Sequence, residues 1–187
     1  MTLKNDTQNQ ASSTAGPRGV FWLTGLSSSG KTTLANECQK ALLIHSINVE
    51  ILDGDEIRKL FKTNGFTKID RLENMKKVAQ IACFLESKGR VVLVALISPY
   101  ETGRSHARSI MQNFHEVYLS ASLEVCKLRD VKGLYRKAMA HEISNFTGIS
   151  DVYEAPEKPE LLLNTGELSL SQSVTTLTDY ILKHSRY

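Results

Sequence analysis

Gly25-Leu26-Ser27-Ser28-Ser29-Gly30-Lys31-Thr32 constrains the architecture more than any other segment of the chain. It matches G-x-x-x-x-G-K-[ST] and stands between two patterned segments. Before it lies a short apolar run, Val20-Phe21-Trp22-Leu23; after it Leu34, Ala35, Cys38, Ala41 and Leu42 recur at helical spacing. Strand, glycine-bounded loop and helix in that order make a phosphate cradle. The glycines let the backbone wrap, so that successive N–H groups point at phosphate oxygens, and the helix N-terminus adds positive potential. In such a loop Lys31 reaches the β- and γ-phosphates of a nucleoside triphosphate, and the Thr32 hydroxyl holds Mg²⁺. Gly25, Leu26, Ser27, Ser28, Ser29, Gly30, Lys31, Thr32 and Thr33 are the expected nucleotide contacts. A Gly/Ser-rich turn before an ordinary helix is the plainer alternative, and the flanking strand and helix weigh against it.

Further along the chain, strand and helix signals alternate. Val49-Glu50-Ile51-Leu52 reads as a second strand, stopped by Asp53-Gly54-Asp55. Asp70, with Glu73 three residues on, predicts a capping box for a long helix carrying Leu72, Met75, Ala79 and Ala82, ended by Gly89. Val91 to Ile97 is the most apolar run, punctuated by Ser98-Pro99, and is expected to be the central strand. Glu116 to Leu119 and Leu161 to Leu163 give two more strands, and Val174 to Lys183 a closing helix. With no internal repeat, this order predicts an α/β fold: a parallel five-stranded sheet with helices on both faces. Residues 127–155 are basic and polar with little strand signal, and suggest an appended, mobile lid. Residues 1–17, rich in Thr, Asn, Gln and Ser, read as a disordered tail before a single domain at 18–187.

Composition narrows the function classes. The chain has 187 residues, enough for one self-sufficient core. Lys and Arg number 23 against 20 Asp and Glu, an excess too small to argue for nucleic acid or an anionic membrane. No stretch approaches the ~20 apolar residues of a membrane span, and Met1 to Pro17 lacks the apolar core of a signal peptide. Cys38, Cys83 and Cys126 form no CxxC pair, which speaks against a disulfide framework or zinc site and for a reducing cytoplasm.

The rest of the site must separate kinases from switches, motors and ATPases. No N-K-x-D guanine-reading motif occurs. Asp53-Gly54-Asp55 sits at the end of the second strand, on the side where parallel sheets bind ligands. Two carboxylates there suit a Mg²⁺ water shell and a proton from an attacking hydroxyl; a turn with Asp as helix N-cap explains the same residues. No carboxylate ends the Val91–Ile97 run, which raises the weight on Asp53 or Asp55 as the metal carboxylate. Lys127, Arg129, Lys132, Arg136 and Lys137 face only Asp130 within 127–137. A solvated helix face is one reading of that run. The other is a lid that neutralises phosphate charge and excludes water, which would otherwise hydrolyse ATP.

The later motifs are more specific than the phosphate loop. GLSSSGKT, LDGDEIR, Asp70-Arg71-x-Glu73-Asn74, Ile97-Ser98-Pro99-Tyr100, Arg129-Asp130-Val131-Lys132-Gly133-Leu134-Tyr135, Phe146-Thr147-Gly148-Ile149 and Tyr153-Glu154-Ala155-Pro156 occur in order over nearly the whole globular chain. Together they resemble the adenylylsulfate kinase family. That resemblance implies a P-loop kinase fold, usually dimeric, that uses Mg²⁺ and moves the γ-phosphate of ATP to the 3′-hydroxyl of adenosine 5′-phosphosulfate. It implies ATP and adenylylsulfate as partners, with neither nucleic acid nor membrane.

The resemblance carries the acceptor contacts to Asp55, Arg58, Phe66, Arg71, Asn74, Ile97, Ser98, Lys132 and Phe146. Chemistry agrees: Arg58 and Arg71 suit a phosphosulfate, because a planar guanidinium grips two oxygens at once. Phe66 and Phe146 are expected to sandwich the adenine, although Phe66 alone also reads as core and Asn74 as helix surface. Asp55 is expected to orient and deprotonate the 3′-hydroxyl, with Asp53 and Thr32 towards Mg²⁺. Arg129 is expected against the adenine of ATP, and Lys132 over the transferring charge. Ser98 is the family's assigned phosphoserine position and joins Asp53, Asp55 and Lys31 as a catalytic candidate. No base stands beside it in the sequence, which favours direct in-line transfer. Five residues depart from the family pattern: Ser28 in place of a small Gly or Ala, Glu56, Lys59, Glu101 and Asn145. Ser28 is tolerable if its dihedral is not left-handed, and Glu56 and Glu101 weaken an anion site only if they point inward. A related kinase with another nucleotide-like acceptor and a non-catalytic nucleotide-binding regulator are the competing functions.

Overall fold

A computed structural model describes residues 16–62 and 65–186. Residues 1–15 of the expected tail lie outside the described residues; Gly16 and Pro17 precede Arg18, which bridges Arg186 near the C-terminus.

Five parallel strands form the sheet in the order β2-β3-β1-β4-β5. They are β1 (Gly19–Thr24), β2 (Val49–Asp53), β3 (Val91–Ala95), β4 (Phe114–Leu119) and β5 (Leu161–Leu163). The central strand is therefore β1, a correction to the expectation for the Val91 run. Both β1 and β3 have a strand on each side and both are buried throughout, so an apolar run cannot tell the two apart. β3 also ends two residues before Ile97, which frees Leu96, Ile97 and Ser98 to turn away from the sheet.

The helices are α1 (Lys31–Ile44), α2 (Gly54–Phe61), α3 (Lys68–Ser87), α4 (Glu101–Ile110), α5 (Leu123–Arg129), α6 (Leu134–Met139) and α7 (Leu170–His184). They cover the sheet on both faces. Phe21, Leu23, Leu93 and Val117 point to one face, where Leu34, Cys38 and Leu42 of α1 and Leu177 and Ile181 of α7 meet them. The alternate residues Val20, Trp22, Val92 and Val94 meet Met75, Val78, Ala79 and Ala82 of α3 and Ala107 of α4 on the other. With both faces covered, β1 and β3 are buried along their whole length and carry no polar side chain before Thr24 at the end of β1.

Two helix starts differ from the expected ones. The capping box of α3 is Thr67 with Asp70 at its third position, not Asp70 with Glu73. Asp70 accepts from the Thr67 backbone and hydroxyl, so the helix opens three residues earlier. α7 likewise starts earlier, at a Ser169–Gln172 capping box. The stretch at 127–155 contains the end of α5, all of α6 and a turn closed by a Thr147–Asp151 bridge. It has its own small cluster of Cys126, Tyr135, Ala138 and Phe146, against which Leu26 of the phosphate loop packs.

Candidate active site

The C-terminal ends of the strands converge on one cavity of about 940 Å³, with β1 at the point where strand order reverses. The phosphate loop leaves β1 at Gly25. A Cβ there would come within 2.7 Å of Leu119 O and 2.8 Å of Ser29 Oγ, so only glycine fits. Gly30 caps α1 in the left-handed region, φ 98, and turns the chain into the helix. Ser28 is also left-handed, φ 60. The expected condition for tolerating a serine there is not met, and the loop carries that backbone strain where glycine would carry none.

Lys31 folds back along its own loop. Its ammonium donates to Gly25 O at 2.8 Å, Leu26 O at 2.7 Å and Ser29 Oγ at 3.3 Å. Burial lowers its pKa to about 8, opposed by Cys126, Asp53 and Asp55. Thr32 Oγ1 donates to Asp53 Oδ2 at 2.6 Å, while Asp53 Oδ1 accepts the Asp55 backbone N–H at 2.9 Å and caps α2. The N-cap reading of Asp53 holds: one oxygen caps α2, and the other accepts from Thr32 of the phosphate loop. Among the described residues no cluster of three or more His, Cys, Asp or Glu could hold a metal. One carboxylate and one hydroxyl beside a phosphate site fit Mg²⁺, which keeps waters and takes its other ligands from nucleotide oxygens.

At the other end of the cavity stand Arg58, Phe66, Arg71, Asn74 and Phe146. Arg71 is 7% exposed. It is fixed by Phe66 O at 3.0 Å, Asn145 O at 2.7 Å and the Asp151 carboxylate at 3.6 Å. Tyr100 OH donates to the same Asp151 at 2.6 Å, and its own pKa is pushed to about 12 by burial and that carboxylate. Arg58 donates to Gly65 O at 2.8 Å and lies 4.6 Å from the Phe66 ring centre, with Arg71 at 5.6 Å from it. Burial lowers the pKa of both arginines, and for Arg58 the charge of Arg71 adds to it. Both stay protonated, so this end of the cavity is cationic, with Asp151 the carboxylate in contact with Arg71. Asn74 Oδ1 and Thr147 Oγ1 are buried with no hydrogen-bond partner, and both residues line the cavity. Orphaned polar atoms in a pocket wall point to a ligand that completes them.

Five cations line the cavity (Lys31, Arg58, Arg71, Arg129 and Lys132) against two carboxylates, Asp53 and Asp55. The field favours a polyanion. Lys132, in the α5–α6 turn, pairs with Asp55 across the cavity mouth. Arg129 donates to Thr165 O at 2.5 Å, and Thr165 Oγ1 donates to Ser29 O at 2.8 Å, joining the loop after β5 to the phosphate loop. Ser98 is left-handed, φ 48, and its Oγ accepts from Trp22 Nε1 at 2.8 Å.

Every expected site residue except Gly25 and Leu26 lines this cavity. Those two lie beneath it and supply the carbonyls that hold Lys31. Phe66 is 47% exposed, whereas Phe146 is 7% exposed and meets Tyr135 edge-on at 5.0 Å. Glu56 and Glu101 are exposed and stand outside the lining, so neither adds charge to it. Asn145 takes the left-handed region, φ 54, which asparagine tolerates better than most residues. Thr147, Asp151 and Thr165 are site residues that local sequence reading passed over. Asn164-Thr165-Gly166, a turn in which Asn164 Oδ1 accepts the Gly166 N–H at 3.2 Å, and the polar Thr147 within Phe146-Thr147-Gly148-Ile149 carry the only local signals.

Residues 18–164 match the Adenylylsulphate kinase family. The chain belongs to the adenylylsulphate kinase family. It is 43% identical over 171 residues to the adenylyl-sulfate kinase of Bacillus pumilus, covering 90% of this chain and 87% of that protein. The adenylyl-sulfate kinase of Synechococcus sp. strain JA-3-3Ab is 46% identical over 90% of this chain and 97% of its own length. Among solved structures, the APS kinase CysC of Mycobacterium tuberculosis in complex with AMPPNP and APS superposes with a TM-score of 0.84 at 38% identity. That match covers 89% of this chain and 99% of that one. The adenylylsulphate kinase fold thus accounts for the sheet order and for the placement of the phosphate loop at its switch point.

Proposed function

We propose that this chain transfers the γ-phosphate of ATP to the 3′-hydroxyl of adenosine 5′-phosphosulfate, giving 3′-phosphoadenosine 5′-phosphosulfate. The observation that carries this reading is one cavity with a phosphate loop at one end and, at the other, buried Arg71 beside half-buried Arg58 with unpaired Asn74 and Thr147. ATP enters with its triphosphate on the loop amides and α1. Lys31 leaves the carbonyls of Gly25 and Leu26 for the β- and γ-oxygens, trading neutral partners for charged ones. Thr32 and Asp53 would hold the magnesium ion that accompanies ATP; when bound, it neutralises charge on the β- and γ-oxygens. Arg129 and Thr165 border the ATP base.

Arg58 and Arg71 take the phosphosulfate of the acceptor, and Asn74 Oδ1 accepts from its exocyclic amine. Phe66 and Phe146 flank the acceptor adenine. Asp55 exchanges Lys132 for the 3′-hydroxyl, orients it and accepts its proton as the oxygen attacks the γ-phosphorus, whose bond to the β,γ-bridging oxygen breaks to release ADP. Lys132, released, covers the transferring oxygens. The Ser98 hydroxyl oxygen already accepts from Trp22, and among the described residues no carboxylate or imidazole hydrogen-bonds to it. That supports direct transfer, with Ser98 a substrate contact rather than a phosphorylated intermediate.

A homodimer belongs to this reading on the strength of the family resemblance, and a cytoplasmic location is supported by three free thiols, Cys38, Cys83 and Cys126. No helix among the described residues is long and apolar enough to cross a membrane. An ADP-release assay across a panel of nucleotide acceptors tests the function. Adenylylsulfate should give the highest kcat/KM; a rate no better than with water rejects the reading.

A further inference from the structure

Beside Ser98 lies a chain of charged residues, none of which itself lines the cavity. Arg104 on α4 is 3% exposed, and its Nη1 donates to Ser98 O at 2.8 Å. Its Nε faces Glu116 Oε1 at 2.6 Å, in an ion contact bent away from hydrogen-bond geometry. Glu116 on β4 also faces Arg108 at 3.7 Å. Arg108 in turn grips Glu160 with two bonds of 2.5 and 2.8 Å, and Glu160 accepts the Glu116 backbone N–H at 2.7 Å. Burying an arginine is costly unless its partners are good. Here those partners run from the half-exposed Arg108–Glu160 pair at the surface to the one carbonyl that precedes Pro99.

On the same face of the sheet Trp22 Nε1 reaches Ser98 Oγ at 2.8 Å. Thr24 Oγ1, itself 2.8 Å from Tyr153 OH, donates to the neighbouring Ile97 O at 2.7 Å. A serine at φ 48 needs such over-determination, because the left-handed region disfavours residues with a Cβ. With Oγ accepting from the indole, the hydroxyl keeps its proton, for which no acceptor stands among the described residues, and Ser98 lines the cavity.

We propose that Arg104 is a positioning residue for the phosphoryl acceptor. It holds the Ser98 carbonyl while Trp22 holds the hydroxyl oxygen, so the hydroxyl proton is presented to the bound acceptor nucleotide. The acceptor named here rests on the adenylylsulfate reading above; the clamp itself does not. Arg104→Lys is the informative variant, because it keeps a charge opposite Glu116 while a single ammonium lacks the second prong that reaches Ser98 O.

Trp22 is the only tryptophan of the chain, so its indole N–H gives one resonance in a nitrogen-15 spectrum. In ligand-free protein Arg104→Lys should move that resonance, since the bond to Ser98 changes. In turnover it should raise the KM for adenylylsulfate roughly tenfold, the loss expected for one charge-assisted hydrogen bond, and leave the KM for ATP unchanged. Trp22→Phe should give the same KM split with Arg104 intact. A folded Arg104→Lys protein with an unmoved resonance, or a rise of both KM values together, overturns the proposal. If Arg104→Lys does not fold, Trp22→Phe decides: the split supports the clamp, and an unchanged adenylylsulfate KM overturns it. A wild-type protein inactive towards adenylylsulfate would instead reject the functional reading, while the ligand-free resonance still reports whether Arg104 holds Ser98.

Discussion

Lys31 should make the nucleotide-free protein more stable as the pH rises. In the folded chain its pKa lies at about 8 against an ordinary 10.5, with burial the largest cause. Between those values the unfolded chain binds the proton that the folded one has released, so alkaline conditions favour folding. Below the folded value the protein bears the full cost of a buried ammonium, about 3 kcal/mol. Above the unfolded value that cost is gone. Other groups titrate in the same range, so the quantity to measure is a difference. Urea unfolding of wild type and Lys31→Met, followed from about pH 7 to about pH 10.5, should show the wild type gaining up to about 3 kcal/mol on the variant. Bound triphosphate reverses the effect by restoring the lysine pKa. ATP binding at about pH 9 should then take up about one proton, read by calorimetry in buffers of different ionisation enthalpy. Parallel stability curves for the two proteins, or ATP binding without proton uptake, would refute the account of a buried lysine waiting for phosphate.

Three substitutions divide the remaining roles. Arg71→Ala should raise the adenylylsulfate KM about ten- to a hundredfold, from the loss of a charge-assisted contact, while ATP affinity measured by calorimetry stays level. Asp53→Asn keeps a side chain able to cap α2, so its melting temperature should stay near wild type. Its kcat should nevertheless fall by about two to three orders of magnitude, and raising Mg²⁺ should recover part of it. Lys132→Met breaks a pair in which both side chains are 59% exposed. Such pairs contribute little to stability, so the melting curve should be unchanged while kcat falls; a large loss of stability would contradict the role given to it.

Much of this site was legible because its chemistry is local. The phosphate loop needs glycines at fixed spacing, and Gly25 and Gly30 sit where a Cβ or an ordinary φ is not allowed. Asp53 and Asp55 were legible as a pair at a strand end, but not the division of labour between the two oxygens of Asp53. The order of strands was not legible, since β1 and β3 are equally buried and their apolar runs differ only in length. Contacts between distant residues were the other gap. Trp22 meets Ser98 across 76 positions, Arg71 meets Asn145 across 74 and Thr165 meets Ser29 across 136. No periodicity or motif encodes such pairings. Arg104 is the clearest case: along the chain it is one polar residue in an amphipathic helix, and only the fold turns it under Ser98. The left-handed Ser28 shows the same limit, because a serine in a turn does not announce its dihedral.

The central claim is that two adenosine-bearing anions share one cavity and exchange a phosphoryl group directly. A single turnover of γ-labelled ATP with adenylylsulfate puts this to the test. The label should pass from ATP to the 3′ position of the acceptor with no labelled protein at any time point, and faster than ATP is hydrolysed without acceptor. Label trapped on Ser98, or release of inorganic phosphate at the same rate whether or not adenylylsulfate is present, would contradict it.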